Sequence, residues 1–250
     1  MIKSVVIHQP NFLPRLKVFI KIAISDVWVI YDDVQYVRRE WQNRVFLRDA
    51  QQREILFTAP IHKANFYEKI NNIRLENVYI LNQHLKKHIQ CNYSKAPYFN
   101  CLVDYIDELI NKTVDVYNLA TYNVISTNIA LQKLGINIEE KYSSELQKHS
   151  TDRNGKLIEI CQKSNSVNYI CGSGGRSYID ENAFKQANIN VIFYDYSEIS
   201  NDFCEDISKY RNCSFLDFVA YNGLEKLNEL IDTVKSSQIK QYKEGGLSCG

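Results

Sequence analysis

The sequence predicts an α/β protein built on a mainly parallel sheet, with a Rossmann-like βαβ start and a helical insertion around residues 78–134. Three observations lead there. From Ser4 to Tyr31 the chain reads strand, loop, helix, strand, in lengths that suit parallel pairing. Between Val78 and Leu134 apolar residues recur at intervals of three and four. The last third then returns to alternating helical and extended patterns.

Taken in order, Ser4–Ile7 is a short buried strand ended by Pro10. Leu16–Ala23 places apolar residues at helical spacing, with Lys17 and Lys21 on the other face. Ser25-Asp26 breaks that helix, and Val27–Tyr31 is a second, fully buried strand. Val45–Leu47, Ile55–Phe57 and Ile70–Leu75 read as short strands, and the helical stretch follows until Gly135 ends it. Ile136–Tyr142 and Val167–Cys171 are strand candidates around a helix at Leu157–Cys161. A helix at Tyr178–Ala187, a strand at Val191–Tyr194 and helices at Phe215–Tyr221 and Leu224–Ile231 complete the pattern. No linker composition divides the chain, so residues 1–235 form one domain and the polar stretch 236–250 is expected to be a flexible tail.

Composition narrows the function classes. Thirty basic and 29 acidic residues leave a formal charge of +1, without the basic excess of a duplex-DNA binder. No stretch reaches the roughly 18–20 apolar residues that span a bilayer, and the opening apolar run is too short for a signal peptide. Seven cysteines with no C-x-x-C pair suggest reduced thiols and a cytoplasmic location. Only nine glycines and four prolines punctuate the chain, so their clusters are informative.

The first cluster is His8-Gln9-Pro10-Asn11-Phe12-Leu13-Pro14, where two prolines stiffen the exit of the first strand. In open α/β sheets this edge is the usual ligand crevice, and His8, Gln9 and Asn11 offer a general base and amide groups. The second runs from Asp32-Asp33 through Gln35, Arg38, Trp41, Gln42 and Asn43 to Arg44. Its paired acids can hold a divalent metal, orient a histidine or accept a proton, and its arginines suit phosphate or carboxylate. The third is Gly172-Ser173-Gly174-Gly175-Arg176-Ser177-Tyr178, between a predicted strand and a predicted helix, which reads as an anion cradle. It matches no named nucleotide motif, and no residue set is singled out as a metal site.

Together these clusters carry a resemblance. Val6–Pro14, Ser25-Asp26-Val27, Asp32–Tyr36 and Trp41-Gln42-Asn43-Arg44 closely resemble the opening of the WbqC-like family. Tyr93–Phe99, Ser143–Leu146, Gly172–Asp180 and Ser214–Asp217 extend the similarity over most of residues 2–230. One departure is Arg15-Leu16-Lys17-Val18, where members commonly have Trp-Leu-Gly-Tyr. The resemblance implies a cytoplasmic bacterial protein of O-antigen, lipopolysaccharide or capsule biosynthesis. The implied activity is acyl or aminoacyl transfer, glycine-transferase-like, onto the amine of a nucleotide-linked amino sugar. The acyl donor would be carrier-bound or an aminoacyl-tRNA, with ATP and Mg²⁺ a lesser alternative, and a homodimer is left open. In that scheme His8 or Asp33 deprotonates the amine, and Gln9, Asn11, Gln42 and Asn43 orient substrate and stabilise the oxyanion. Arg38, Arg44 and Gly172–Ser177 hold phosphate, with Asp32, Gln35, Trp41 and Tyr178 lining the site. The alternatives are an ATP-dependent nucleotidyltransferase or ligase and a non-catalytic ligand-binding protein. The first draws on a likeness to HIGH-motif nucleotidyltransferases, although Pro14-Arg15-Leu16 stands where their second histidine falls.

Overall fold

A computed structural model describes residues 3–196 and 207–245 of the chain. Five parallel strands form the central sheet: β1 (Ser4–His8), β2 (Val27–Ile30), β5 (Glu139–Tyr142), β6 (Asn168–Gly172) and β7 (Asn190–Tyr194), in the order β5-β2-β1-β6-β7. The sheet grows outward from β1 in one direction through β2 and β5, then in the other through β6 and β7. The reversal leaves a topological switch point between the carboxyl ends of β1 and β6, where doubly wound sheets hold their ligands.

Both faces of this sheet are covered, as a parallel sheet requires. On one face lie α1 (Leu16–Ala23), the insertion helices α2 (Val78–Tyr93), α3 (Phe99–Lys112) and α4 (Leu119–Lys133), and α7 (Phe215–Gly245), around Val6, Trp28, Ile30 and Ile170. The other face packs Val5, Ile7, Val27, Val29, Tyr169 and Cys171 against Leu157, Ile160 and Phe184 of α5 (Arg153–Lys163) and α6 (Glu181–Gln186). The helical insertion begins and ends where the sequence pattern places it. Asn77 and Asn118 cap α2 and α4 by accepting from the Ile80 and Thr121 amides.

Several local readings are corrected. Only β3 (Arg44–Arg48) and β4 (Glu54–Thr58) pair as an antiparallel hairpin; Ile70–Leu75 forms a 3₁₀ turn over Ile70–Asn72 and then isolated bridges alone, Arg74 to Asn118 and Leu75 to Ile61. Its apolar spacing instead buries Ile70, Ile73 and Leu75. The helix expected at Tyr178–Ala187 is shorter, Glu181–Gln186, because Asp180 caps it by accepting from the Asn182 and Ala183 amides. The two C-terminal helices run as one across a kink at Gly223, whose φ of +82° and closeness to the Tyr98 ring both demand glycine. Backbone helix continues to Gly245, where a flexible tail was expected from residue 236; residues 246–250 of that tail lie outside the described residues.

Candidate functional site

The loop leaving β1 is held in a specific shape by three devices. Pro10 and Pro14 restrict φ, and between them Leu13 is fully buried with a left-handed φ of 41°. Asn123 of α4 then clamps the loop from behind, donating through Nδ2 to the Pro10 carbonyl at 2.9 Å and the Gln42 carbonyl at 2.7 Å. The Phe12 amide donates to the Trp41 carbonyl, and Gln42 Nε2 donates to Gln9 Oε1 at 2.7 Å. The first two sequence clusters are therefore joined at Gln9, Trp41 and Gln42.

At the end of β1, His8 faces the α1 side of the sheet. Its Nε2 lies 2.9 Å from Asn11 Oδ1, and its Nδ1 lies 3.2 Å from Lys21 Nζ. Because a carboxamide oxygen only accepts, Nε2 carries the proton, leaving Nδ1 as acceptor toward the lysine. Burial, then the Lys21 charge, lowers the His8 pKa well below its ordinary value, so the imidazole is neutral.

Lys21 itself overturns the helical-wheel reading. It is only 7% exposed, and every residue of α1 except Lys17 is buried. Burial lowers its ammonium to about 8, against the opposing pull of Cys171 and with added repulsion from Arg15 and Lys17. A short helix carrying six apolar residues of eight is enclosed all round, and its lysine points inward over the sheet. Under that lysine the sheet carries a glycine. A side chain built at Gly172 would have its Cβ 3.8 Å from Lys21 Nζ. The β1–β6 register, continued by two residues, sets Gly172 beside His8, and Tyr194 pairs with Gly172 on the far side. The Tyr194 hydroxyl is buried without a hydrogen-bond partner.

Other expected residues serve the fold. Asp32 is buried and saturated: Ser144 donates to it through its amide and hydroxyl at 3.0 and 2.7 Å, and Asn71 Nδ2 sits at 3.3 Å. Asp33 is ion-paired with Lys148 at 2.9 Å; burial pushes its pKa up, but hydrogen bonds from Lys148 and Ser143 outweigh that and hold it low. That makes it a weak base, unlike the role expected of it. Asn43 bridges Tyr36 and the Ala59 carbonyl, Gln35 donates to the Phe66 carbonyl, Arg38 to the Ala64 carbonyl and Arg44 to the Glu40 carbonyl. None of these four is tied to the His8–Lys21 pair by a hydrogen bond.

The glycine segment is corrected in part. Gly172 belongs to the crevice, whereas Gly175 is buried against Cys171 and the Ser177 hydroxyl is spent on the Gly174 carbonyl. Asp180 caps α6 by accepting from the Asn182 and Ala183 amides, so that helix start is already occupied. Arg176 lies over the Phe193 ring and Arg153 over Tyr178, while Ser173 and Gly174 are exposed. Among the described residues no cluster of histidine, cysteine and carboxylate side chains is arranged to hold a metal ion.

Lys21, Asn123 and Tyr194 are the residues that sequence reasoning missed. The surplus of apolar residues in α1 was the available signal for Lys21; nothing local marks the other two.

A doubly wound α/β protein with a buried histidine–lysine pair at its switch point is the class that fold and site define. The chain belongs to the WbqC-like protein family, whose model matches residues 9–229. It is 30% identical over 197 residues to Uncharacterized protein Rv1507c of Mycobacterium tuberculosis, covering 78% of this chain and 83% of that protein. No solved structure matches it. Among the described residues no helix is long and apolar enough to cross a membrane.

Proposed function

We propose that the β1–β6 crevice is the active site of an acyl- or aminoacyl-transferase that forms an amide on the amino group of a nucleotide-linked sugar. The observation that carries this reading is the His8–Lys21 pair, two nitrogens 3.2 Å apart with lowered proton affinities, set where the sheet receives ligands. Amide formation needs an uncharged amine. The amine nitrogen attacks the acyl carbon, a C–N bond forms, the bond to the donor's carrier breaks, and the nitrogen gives up a proton. With its pKa near 8, Lys21 is partly unprotonated around neutrality and takes that proton, while His8 Nδ1 orients it by accepting from Nζ. Asn11 fixes the histidine tautomer, and Gln9 with Gln42 lies one residue along the same loop.

The direct test is product formation from an amino-sugar nucleotide with an acyl thioester, an aminoacyl-tRNA, or an amino acid plus ATP. Wild-type activity retained in His8→Ala and Lys21→Met would end the mechanism. A second reading, nucleotidyl transfer, is favoured by one observation: the sheet order, counted over the parallel strands alone, is 3-2-1-4-5 with a histidine ending the first strand. ATP–pyrophosphate exchange in the absence of any acyl acceptor would select it.

A further inference from the structure

The two strands of the β3–β4 hairpin treat their outer edges differently. The Asp49 amide donates to the Arg53 carbonyl at 3.0 Å, and the Ala59 amide donates to the Asn43 carbonyl at 2.7 Å. With the register from Arg44↔Thr58 to Arg48↔Glu54 between them, Arg53, Ile55, Phe57 and Ala59 direct their N–H and C=O groups to β3. Glu54, Leu56 and Thr58 therefore direct theirs away from it. On the far edge of β3 the corresponding groups are taken. The Phe46 carbonyl accepts from the Ser214 amide at 3.0 Å, the Arg48 amide donates to the Tyr93 hydroxyl at 2.7 Å, and His88 Nε2 lies 3.2 Å from the Arg48 carbonyl. Among the described residues no strand or loop does the same for the backbone of Glu54, Leu56 and Thr58.

The side chains agree with the backbone. Val45 and Leu47, opposite Phe57 and Ile55, are buried, whereas Ile55 is 42% exposed and Leu56 41%. An unpaired edge with apolar side chains is a template for another strand, which proteins blunt with lysine, proline or a bulge. No lysine or proline stands within β4. Pro60 and the left-handed Gln52, with φ of 65°, bound it on either side.

The register identifies the occupant, because this edge is its own complement. Antiparallel pairing of two copies about a two-fold axis at Leu56 sets Leu56 against the partner's Leu56 and Glu54 against the partner's Thr58, whose hydroxyl can donate to the carboxylate. Ile55 then meets the partner's Phe57 in the closer, non-hydrogen-bonded position. Every outward N–H and C=O finds a partner, and no like charges face each other. A slip of two residues puts Glu54 against Leu56 or against Pro60, which has no N–H, and a slip of four can put Glu54 against Glu54.

We propose that β4 is the pairing edge of a homodimer, in which two copies join antiparallel about Leu56 and their hairpins form one four-stranded sheet. The contact is isologous, so it closes at two copies. It does not depend on the reaction assigned to the β1–β6 crevice. It does reach the crevice loop, since Ile55 of one protomer covers the partner's Phe57, and Phe57 stacks on Phe12 with ring centroids 6.1 Å apart.

Sedimentation of the full chain over a concentration series is the test. Wild type is expected to sediment as a dimer that dissociates on dilution. Leu56→Lys sets two ammonium groups together on the axis; being at an exposed position, it leaves the thermal melt of the monomer in place and raises the dimer dissociation constant by about 100-fold or more. Leu56→Cys gives a disulfide-linked dimer on mild oxidation, because residues paired on the axis stand about 5.5 Å apart at Cα. Tyr79→Cys, at a position 70% exposed on α2, cross-links no more than wild type does. Wild type that is monomeric at every concentration overturns the proposal. So does a dimer that Leu56→Lys leaves intact, or an assembly larger than two. If Leu56→Lys fails to fold, the Leu56→Cys link decides alone, and its absence overturns the pairing.

Discussion

Two regions of the molecule bury titratable groups and displace their proton affinities, but they close in opposite ways. At the junction of β3, α2 and α7, Asp217 is fully buried and raised to about 7 by desolvation, with the Tyr93 hydroxyl and Arg48 opposing that shift. Tyr93 donates to Asp217 at 2.6 Å, accepts from the Arg48 amide at 2.7 Å, and Arg48 Nε stands 4.0 Å from the carboxylate. Acid, base and phenol there face one another, and Arg48 also reaches the Lys209 carbonyl. In the β1–β6 crevice Lys21 meets the neutral His8 ring and forms no ion pair among the described residues, the Tyr194 hydroxyl on the same face has no partner, and Gly172 stands next to Lys21. A displaced pKa therefore does not by itself mark a functional site. Both regions keep buried polar atoms without a partner, Arg48 Nε and Asp217 Oδ2 in the first and the Tyr194 hydroxyl in the second; they differ in charge, since Asp217 faces Arg48 whereas Lys21 faces a neutral imidazole.

Paired substitutions separate the two regions most strongly. Asp217→Ala leaves the Tyr93 hydroxyl and Arg48 facing a cavity, and is expected to destabilise the fold by about 3 kcal/mol or more with near-normal activity per folded molecule. Lys21→Met is expected to do the opposite, lowering turnover by about 100-fold while stability holds or rises by about 1 kcal/mol. Denaturant midpoints and initial rates on the same preparations read both, and a Lys21→Met protein that unfolds easily would make the lysine structural.

Asn123→Ala tests the link between scaffold and site. It strips two buried carbonyls of their donor, with an expected loss of about 2 kcal/mol and a rise in KM for the sugar nucleotide as the His8 loop loosens. An unchanged KM would mean that the prolines alone shape the loop.

The pH dependence of stability sharpens the contrast further. Asp217 is raised in the fold, so its contribution is fully present below its unfolded value near 4 and is lost as pH rises through about 7. Between pH 5 and 7 the stability difference between wild type and Asp217→Asn is expected to shrink, by up to about 1.4 kcal/mol per pH unit. Lys21 is lowered in the fold, so its contribution appears above its unfolded value near 10.5 and is lost as pH falls through about 8. Lys21→Met therefore differs from wild type in the alkaline window and Asp217→Asn in the acidic one. Thermal melts at five pH values suffice, and both variants altering the same window would contradict these assignments.

The smallest effects are expected at Arg38→Ala and Arg44→Ala. Their guanidinium groups reach carbonyls at the surface, so stability should move by no more than about 0.5 kcal/mol. Activity should stay within about threefold, where the crevice variants lose it.

Much of this was readable before any coordinates. The βαβ start, the helical insertion and the return to alternation follow from periodicity, which a parallel sheet with two covered faces enforces strongly. The His8–Pro14 loop was legible because proline is rare in the chain and both of its restrictions fall at one strand exit. Lys21 was hidden because its i, i+4 spacing to Lys17 imitates a solvated stripe, whereas α1 is too short and too apolar to own one. Tyr194 reads as an ordinary core aromatic until its strand neighbour proves to be glycine and its hydroxyl proves unpartnered. Asp32 and Asn43 looked chemical for the opposite reason. Their polarity is consumed by Ser144, Asn71, Tyr36 and Ala59, partners set by tertiary structure that no local pattern displays.

The site's location is tested most directly by nitrogen-15 NMR of the histidine side chains during titration with a nucleotide-linked amino sugar. The chain has five histidines, at 8, 62, 84, 88 and 149. Before addition, His8 is expected as the neutral Nε2–H tautomer, unprotonated where an ordinary imidazole titrates, with its Nδ1 resonance shifted by the lysine contact. On addition that resonance moves in a saturable way while those of the other four stay in place. A His8 that titrates near its ordinary value and ignores the ligand would contradict the placement of substrate at the β1–β6 crevice.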